Sequence, residues 1–258
     1  MLVSLHLFNL GSLNAGARMA EWFNSRLSVL QSAAAGAKQQ LIGLYAADVE
    51  RVPGSRPPAF VLPGPRCFAI LKLASAATAE AALRAEADAR LGSDQLAALT
   101  DLQAWIDPTS DKRLWLSPMV VSRYASETMP LDQRLLRIVL RHLPESRTLA
   151  ELIEFDSRIV DLYAGTMAGA AWYHIAIHHV LGLPTYVYAD AFDVVDARTV
   201  EEAMANDAKL AVPPEYQAVL DECNNYLDRS RDRFSMWLTP LILEPAARVG
   251  VRFHQPAW

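Results

Sequence analysis

The chain has 258 residues, of which 52% are hydrophobic and 21% charged, enough for one large packed domain or for two domains of about 130 residues each. The net charge is −5 and the pI about 5.7, and no run of like charge follows the pattern of a phosphate-binding surface, which argues against a nucleic-acid partner. Two cysteines, Cys67 and Cys223, cannot form a disulfide framework or a CxxC pair. We therefore expect a globular protein of a reducing cytoplasm.

The N-terminal segment contains an apolar stretch with no basic residues before it, and nowhere do about 18 or more apolar residues follow one another. The sequence therefore predicts neither a signal peptide nor a membrane span. We expect no membrane partner.

Apolar periodicity predicts the same order of elements in each half of the chain: strand, helix, strand, strand, helix, strand. In the first half these elements are residues 2–9, 17–31, 40–49, 67–74, 78–91 and 114–124. In the second half they are residues 135–143, 149–164, 172–180, 185–195, 199–227 and 234–243. Residues 172–180 also fit the end of a long helix that begins at 149, but the Tyr- and Val-rich segment that follows favours a strand hairpin.

Three short segments recur in the same order in the two halves. They are residues 23–27 (FNSRL) and 155–159 (FDSRI), 74–81 (ASAATAEA) and 195–202 (VDARTVEE), and 115–121 (WLSPMVV) and 237–243 (WLTPLIL). The sequence therefore predicts an α+β fold of two tandem ferredoxin-like βαββαβ repeats, residues 1–125 and 126–258. Because each such sheet leaves one face uncovered, we expect the two faces to close on each other as a pseudo-twofold α+β barrel.

The duplicated topology and the two closing segments, 115–121 and 237–243, resemble the dimeric α+β barrel superfamily. That superfamily includes EthD-like and REDY-like proteins, small antibiotic-biosynthesis monooxygenases and, in tandem form, haem-containing chlorite dismutases. The resemblance covers nearly the whole chain and implies a barrel within one chain, although other surfaces can still form a homodimer. It also implies, for a catalytic member, action on an apolar, aromatic or polyketide-like metabolite without a metal or organic cofactor.

Alternation along the first strand of each half gives candidates for the inside of the barrel. In residues 2–9, the apolar set Val3, Leu5 and Leu7 is expected to face the helices, which leaves His6 facing inward. In residues 135–143 the same argument leaves Arg137 and Arg141 facing inward, where they would bind a carboxylate or phenolate. The alternative for both arginines is a solvated sheet edge.

The hairpin of residues 172–195 carries the densest group of polar side chains. If it is a strand pair, His174 and His178 share one face of the first strand. The second strand places four further side chains on one face: Tyr186, Tyr188, Asp190 and Phe192. An aspartate opposite a histidine fixes the imidazole tautomer and raises its basicity, which is typical of general acid–base chemistry. The matching strands of the first half offer only Tyr45 and Lys72, so we expect the site in the second half.

These residues favour general acid–base chemistry, and together with the resemblance they imply a cofactor-independent enzyme of the cyclase, dehydratase or isomerase type, acting on an apolar aromatic or polyketide-like metabolite in natural-product biosynthesis. We expect His174 or His178 to be the base, Asp190 to orient it and Tyr188 to donate a proton. His6, Arg137, Arg141, Tyr186 and Phe192 are the expected substrate-binding residues. Two alternatives remain: a barrel that binds haem or another hydrophobic ligand with a histidine as axial ligand, and a cofactor-free monooxygenase. For any single histidine, a structural role in the core is the simpler interpretation.

Overall fold

The computed structural model describes residues 2–12, 15–51, 66–121, 128–129, 135–141, 148, 151, 154, 173–181, 188–195, 197–207, 214, 217–218, 221–222, 234–245 and 251–252. The strands are β1 (Leu2–Phe8), β2 (Gln39–Arg51), β3 (Arg66–Ala74), β4 (Lys112–Val121), β5 (Thr128–Met129), β6 (Leu135–Arg141), β7 (Tyr173–Leu181), β8 (Tyr188–Val195), β9 (Phe234–Leu243) and β10 (Val251–Arg252). The helices are α1 (Gly16–Gly36), α2 (Ala79–Ala87), α3 (Ser93–Trp105) and α4 (Val200–Asp207). Among these helices, none has the length and apolar content needed to cross a membrane.

Antiparallel strands form a closed barrel in the order β1-β3-β2-β9-β6-β8-β7-β4. The strands of the first half therefore lie in the order β4-β1-β3-β2, and those of the second half lie in the equivalent order β9-β6-β8-β7. Pairing of β2 with β9 and of β4 with β7 joins the two sets of strands. The fold is thus a mixed α+β fold around an antiparallel barrel, and β5 pairs separately with β10.

Apolar side chains occupy the inside of the barrel. Val3, Leu5 and Leu7 of β1 are almost fully buried, and their partners on the neighbouring strands include Leu71 and Leu114. Leu136, Ile138, Met236 and Leu238 are buried equally deeply at the equivalent positions of β6 and β9. An eight-stranded barrel is just wide enough for such side chains to fill it. Where the structure describes side chains on β1, β3, β4, β6 and β9, the interior is therefore a packed core.

The other face of the first-half strands packs against helices. Phe8 of β1 and Ile70 of β3 share one apolar cluster with Phe23 of α1 and Leu102 of α3. On β1 this is the face of Ser4, His6 and Phe8, so the prediction that His6 points into the barrel is wrong. The predicted alternation of two faces along β1 is correct, but the apolar residues Val3, Leu5 and Leu7 fill the barrel. The face of Ser4, His6 and Phe8 lies under the helices.

The same inversion applies to β6. Leu135 packs with Trp237 and with Ala203 of α4, which places the face of Leu135 and Arg137 towards the helix. Leu136 and Ile138 face the barrel interior instead. The prediction that Arg137 points inward is therefore wrong, and the side chain of Arg141 lies outside the described part of the structure.

Most predicted elements of the described regions are present. Helix α1 extends beyond the predicted end at residue 31 to Gly36, and residues 173–181 form a strand, which confirms the hairpin interpretation over the helical one. The predicted helix starts at residues 78 and 199 fall at Thr78 and Thr199, which cap α2 and α4, since their hydroxyls accept from the amides of Ala81 at 3.2 Å and Glu202 at 3.1 Å. Helix α3 was missed, and the predicted helix at 149–164 falls almost entirely outside the described residues.

We expect Gly43→Ala to destabilise the barrel where β2 meets β9. A Cβ atom at Gly43 would lie 2.2 Å from the backbone oxygen of Ile242, so the two strands have to separate. The expected loss in free energy of unfolding is about 1–3 kcal/mol or more, measured by urea denaturation. Gly36→Ala is the control, because the nearest atom to its Cβ is a Leu91 methyl at 3.6 Å and alanine favours a helix. Equal stability of the two variants would contradict the tight approach at Gly43.

Candidate functional site

A cavity of about 160 Å³ lies between α1, α3 and the helix-facing side of the first-half strands. Small side chains create it: Ala33, Ala34 and Ala37, at the end of α1, line the wall opposite the sheet. Larger side chains at these positions would reach the strands and fill the space. The alanine-rich sequence at the end of α1 therefore explains why the cavity exists.

The rest of the wall is largely apolar. Phe23 and Leu30 of α1, Leu99 and Leu102 of α3 and Ile70 of β3 line the cavity. Such walls favour an uncharged hydrocarbon or aromatic surface, as in most small-molecule sites.

Three ionisable side chains line the cavity beside this apolar wall: Lys72 of β3, Glu86 of α2 and Arg113 of β4. Glu86 is occupied on both carboxylate oxygens, because Gln39 Nε2 donates to Oε1 at 2.8 Å and Arg113 Nη1 donates to Oε2 at 2.5 Å. The arrangement fixes the guanidinium of Arg113 at the edge of the cavity.

Lys72 differs from these neighbours because its amine has no hydrogen bond or ion pair with any residue that the structure describes. Burial lowers the pKa of Lys72 below its usual value, and Arg113 lowers it further, whereas the nearby Glu86 carboxylate raises it. Part of the Lys72 population is therefore neutral at a lower pH than for an exposed lysine. An amine in this state can accept a proton from a bound molecule.

A histidine–aspartate pair lies beside the cavity. His6 sits between Ile70 of β3 and Arg113 of β4 in the strand register, and Nε2 of His6 lies 2.6 Å from Oδ1 of Asp111. Since an ionised carboxylate only accepts, Nε2 donates this hydrogen bond. Burial is the main cause that lowers the pKa of His6, against the opposing effect of Asp111. His6 does not line the cavity, so its substrate-binding role stays a prediction without support from the geometry.

The predicted partnership of Asp190 with a histidine does not match the strand register. His174 lies opposite Asp193, and the register of β8 shifts at Asp190, which has no opposite residue on β6 or β7. This bulge breaks the alternation on which the prediction depended. Alternation in a sequence does not reveal where a strand carries an extra residue.

The side chains of four other predicted site residues in this hairpin region lie outside the described part of the structure: His178, Tyr188, Asp190 and Phe192. Tyr186 is outside it entirely, and only the backbone position of His174 is described. The predicted catalytic and substrate-binding roles of these residues stay predictions. Arg137 is described on the helix-facing side, where its guanidinium carbon lies 4.9 Å from the centre of the Trp237 ring.

Sequence reasoning set Lys72 aside and missed Arg113, Glu86 and Asp111. A signal for Lys72 was available, since it is the one charged residue between Cys67 and Ala74. The sequence around Glu86 and Asp111 contains no such signal. Only the fold brings Glu86 of α2 to Arg113 and Asp111, in the loop before β4, to His6. In the described part of the chain, no three His, Cys, Asp or Glu side chains are grouped in a way that would hold a metal ion.

No protein-family model matches the chain, and no curated protein is similar to it in sequence. Solved structures do share its fold. A protein provisionally named a monooxygenase, from Lactobacillus acidophilus NCFM, is 12% identical with a TM-score of 0.56, over 98% of this chain and 99% of that chain. An anthrone oxidase-like protein is 10% identical with a TM-score of 0.47, over 92% of this chain and 91% of that chain. The first of these likenesses supports the α+β barrel fold.

We expect the free energy of unfolding to fall as the pH drops below 6.5 because of His6. The folded-state pKa of His6 is lowered from 6.5, so the unfolded chain binds a proton more readily, and stability is lost as pH falls from 6.5 towards the lowered value. Urea denaturation of the protein and of His6→Asn between pH 7 and pH 5 measures the effect. The variant should lose less stability on acidification, and an identical loss would contradict the burial of a neutral His6.

Proposed function

We propose that this chain is a cofactor-independent enzyme that moves protons on a small, mostly apolar molecule bearing an acidic hydroxyl or ketone group. The reaction takes place in the cavity between α1, α3 and the first-half strands. The observation that carries the proposal is the amine of Lys72, which lines a largely apolar cavity and has no partner among the described residues.

The size of the cavity limits the substrate. A volume of about 160 Å³ is close to that of an engineered cavity of about 150 Å³ that binds benzene, and it lies below the roughly 300–1,000 Å³ of sites for drug-sized ligands. A single substituted ring fits this space without rearrangement of α1 or α3. The proposed substrate is therefore a one-ring phenol or cyclic ketone, smaller than the polycyclic molecules that a polyketide-like substrate implies.

The proposed reaction begins with neutral Lys72. The amine takes a proton from the substrate hydroxyl, or from the carbon next to a ketone, and becomes an ammonium ion beside the new phenolate or enolate. Attraction between the opposite charges in a poorly hydrated cavity stabilises this state. Return of the proton to a different atom completes an isomerisation, and attack of the enolate carbon on a second carbonyl of the same substrate gives a cyclisation.

Arg113 has a supporting role in this scheme. Its guanidinium lies at the cavity edge and is held by Glu86, so it adds positive charge next to the developing anion while remaining paired. Gln39 in turn fixes the Glu86 carboxylate. Gln39 and Glu86 thus hold the positive charge of Arg113 beside the cavity, and the charges of Arg113 and Glu86 remain paired with each other.

A cofactor-free monooxygenase is the second candidate, because the same carbanion can react with dioxygen. A carbanion formed from a CH₂ group adds O₂ to give a peroxide, which after protonation loses water and leaves a ketone. The name of the Lactobacillus acidophilus protein that shares the fold favours this candidate. Oxygen consumption distinguishes it from proton transfer alone.

We also propose that the two halves, residues 1–125 and 126–258, are tandem ferredoxin-like repeats of the EthD-like or REDY-like kind. The equivalent strand orders support this interpretation, as do the equivalent helix caps at Thr78 and Thr199. A haem-binding barrel remains the competing interpretation of the same fold, and a Soret band in the purified protein would support it.

We expect Lys72→Met to weaken the binding of 4-nitrophenol, a one-ring phenol whose phenolate absorbs visible light. Loss of a hydrogen bond between charged groups should reduce affinity about tenfold or more and remove any increase in the phenolate band on binding. Lys38→Met is the control, because Lys38 is exposed in the turn before β2. Equal binding by the two variants, measured by absorbance titration, would exclude Lys72 from the site.

The reactivity of Lys72 should also persist at a pH where an exposed lysine is protonated. Its pKa lies below 10.5, so its neutral form is lost only as pH falls through that lowered value. Competitive acetylation with acetic anhydride, read by peptide mass spectrometry, compares Lys72 with Lys38 across a pH series. Glu86→Gln should move the Lys72 midpoint to still lower pH, because the carboxylate raises this pKa. A midpoint equal to that of Lys38 would contradict the mechanism.

A further inference from the structure

Lys72 lies on the helix-facing side of the first-half sheet, between two uncharged neighbours. In the strand register it lies opposite Ser4 of β1 on one side and opposite Leu41 of β2 on the other, and both of these are almost fully buried. Lys72 itself is only partly buried and lines the cavity next to α1 and α3. Its side chain is therefore accessible to a molecule that occupies the cavity.

The charged side chains near Lys72 are paired with one another. Glu86 of α2 accepts a hydrogen bond from Arg113 of β4, and His6 of β1 donates to Asp111 in the loop before β4. The residues of α1 and α3 that line the cavity are uncharged. Among the described residues that line the cavity, no carboxylate is thus left unpaired to hold an ammonium ion at Lys72.

A neutral amine in an apolar cavity is a nucleophile as well as a base. Burial lowers the pKa of Lys72, and only an unprotonated nitrogen has the lone pair that attacks a carbonyl carbon. Imine formation releases water, and a largely apolar wall limits the water that would hydrolyse the imine. The cavity therefore favours an imine at Lys72 over the free amine and carbonyl compound.

We propose that Lys72 forms an imine with a one-ring aromatic aldehyde bound in the cavity, an activity that rests on the proposed function only for the site and the free amine. Nζ of Lys72 attacks the carbonyl carbon, and a proton moves from nitrogen to the carbonyl oxygen to give a carbinolamine. The C–O bond then breaks, the oxygen leaves as water with the second proton of the amine, and the nitrogen lone pair closes the C=N bond. The step requires no oxidant or reductant.

The walls of the cavity match an aromatic aldehyde in size and polarity. The volume of about 160 Å³ holds a single ring, since an engineered cavity of about 150 Å³ binds benzene. Phe23, Leu30 and Ile70 offer apolar contacts to that ring. Arg113, held by Glu86 at the cavity edge, supplies positive charge that stabilises the negative charge on the aldehyde oxygen as the nitrogen attacks.

Reductive trapping with benzaldehyde and sodium cyanoborohydride tests the proposal, and peptide mass spectrometry measures the benzylation of each lysine. At neutral pH, Lys72 should be labelled about tenfold faster or more than the exposed Lys38, because the cavity holds the aldehyde beside the amine. Benzyl alcohol has the same ring but no carbonyl group, so it should slow the labelling of Lys72 and not that of Lys38. Equal labelling of the two lysines, or labelling of Lys72 that benzyl alcohol does not slow, would overturn the proposal.

Two variants of α1 test whether the labelling depends on the cavity. Ala34→Leu fills part of the cavity and should slow the labelling of Lys72, whereas Ala35→Leu, at an exposed position of α1, should leave it unchanged. If Ala34→Leu does not fold, the competition with benzyl alcohol decides the question in the unaltered protein. An unchanged rate in folded Ala34→Leu would contradict a site in the cavity.

The choice of probe separates this inference from the proposed function. Benzaldehyde has neither a hydroxyl group nor a hydrogen on the carbon next to its carbonyl group, so it cannot undergo the proposed proton transfer, and 4-nitrophenol cannot form an imine. Loss of selective labelling, together with binding of 4-nitrophenol that depends on Lys72, would overturn the imine alone. Loss of both would overturn the proposed function as well.

Discussion

Closure of the sheet into a barrel, whose described interior is filled by apolar side chains, is the constraint on which the rest of the structure depends. Eight strands leave an interior that side chains such as Leu5, Leu114 and Met236 occupy, all of them almost fully buried. On β1 the polar residues that alternate with these positions, Ser4 and His6, are thereby directed to the outer face. The outer face of the first-half strands packs against helices, so these two residues are buried without entering the barrel.

This sheltering explains the chemistry of the candidate site. A lysine under a helix loses hydration, which lowers its pKa, and the cavity left by the alanines of α1 gives a ligand access to it. The other two charged side chains of the cavity avoid the same cost by pairing: Arg113 binds Glu86, and Glu86 accepts from Gln39. Lys72 is left without such a partner among the described residues, and the proposed role of its amine rests on this difference.

Much of the described fold could be predicted from sequence, because strand period and helix caps are local properties. The bounds of β9 agree with the prediction, and the predicted helix starts at residues 78 and 199 fall at the capping threonines Thr78 and Thr199. The facing of the strands could not be predicted, since alternation defines two sets of residues and not which set meets the helices. His6 was therefore assigned to the wrong side, and its partner Asp111, 105 residues away in the chain, carried no signal of the contact.

The two sets of strands carry different residues at matching positions of their outer faces. Trp115 and Trp237 occupy equivalent positions and pack against α2 and α4, respectively. In the strand register, Ser4 of β1 corresponds to Arg137 of β6. Lys72 of β3 corresponds to Asp193 of β8. Because the interior residues carry the packing of the barrel, these outer positions can differ in charge without altering the strand order. The two sets of strands therefore keep equivalent strand orders with different residues at matching outer positions.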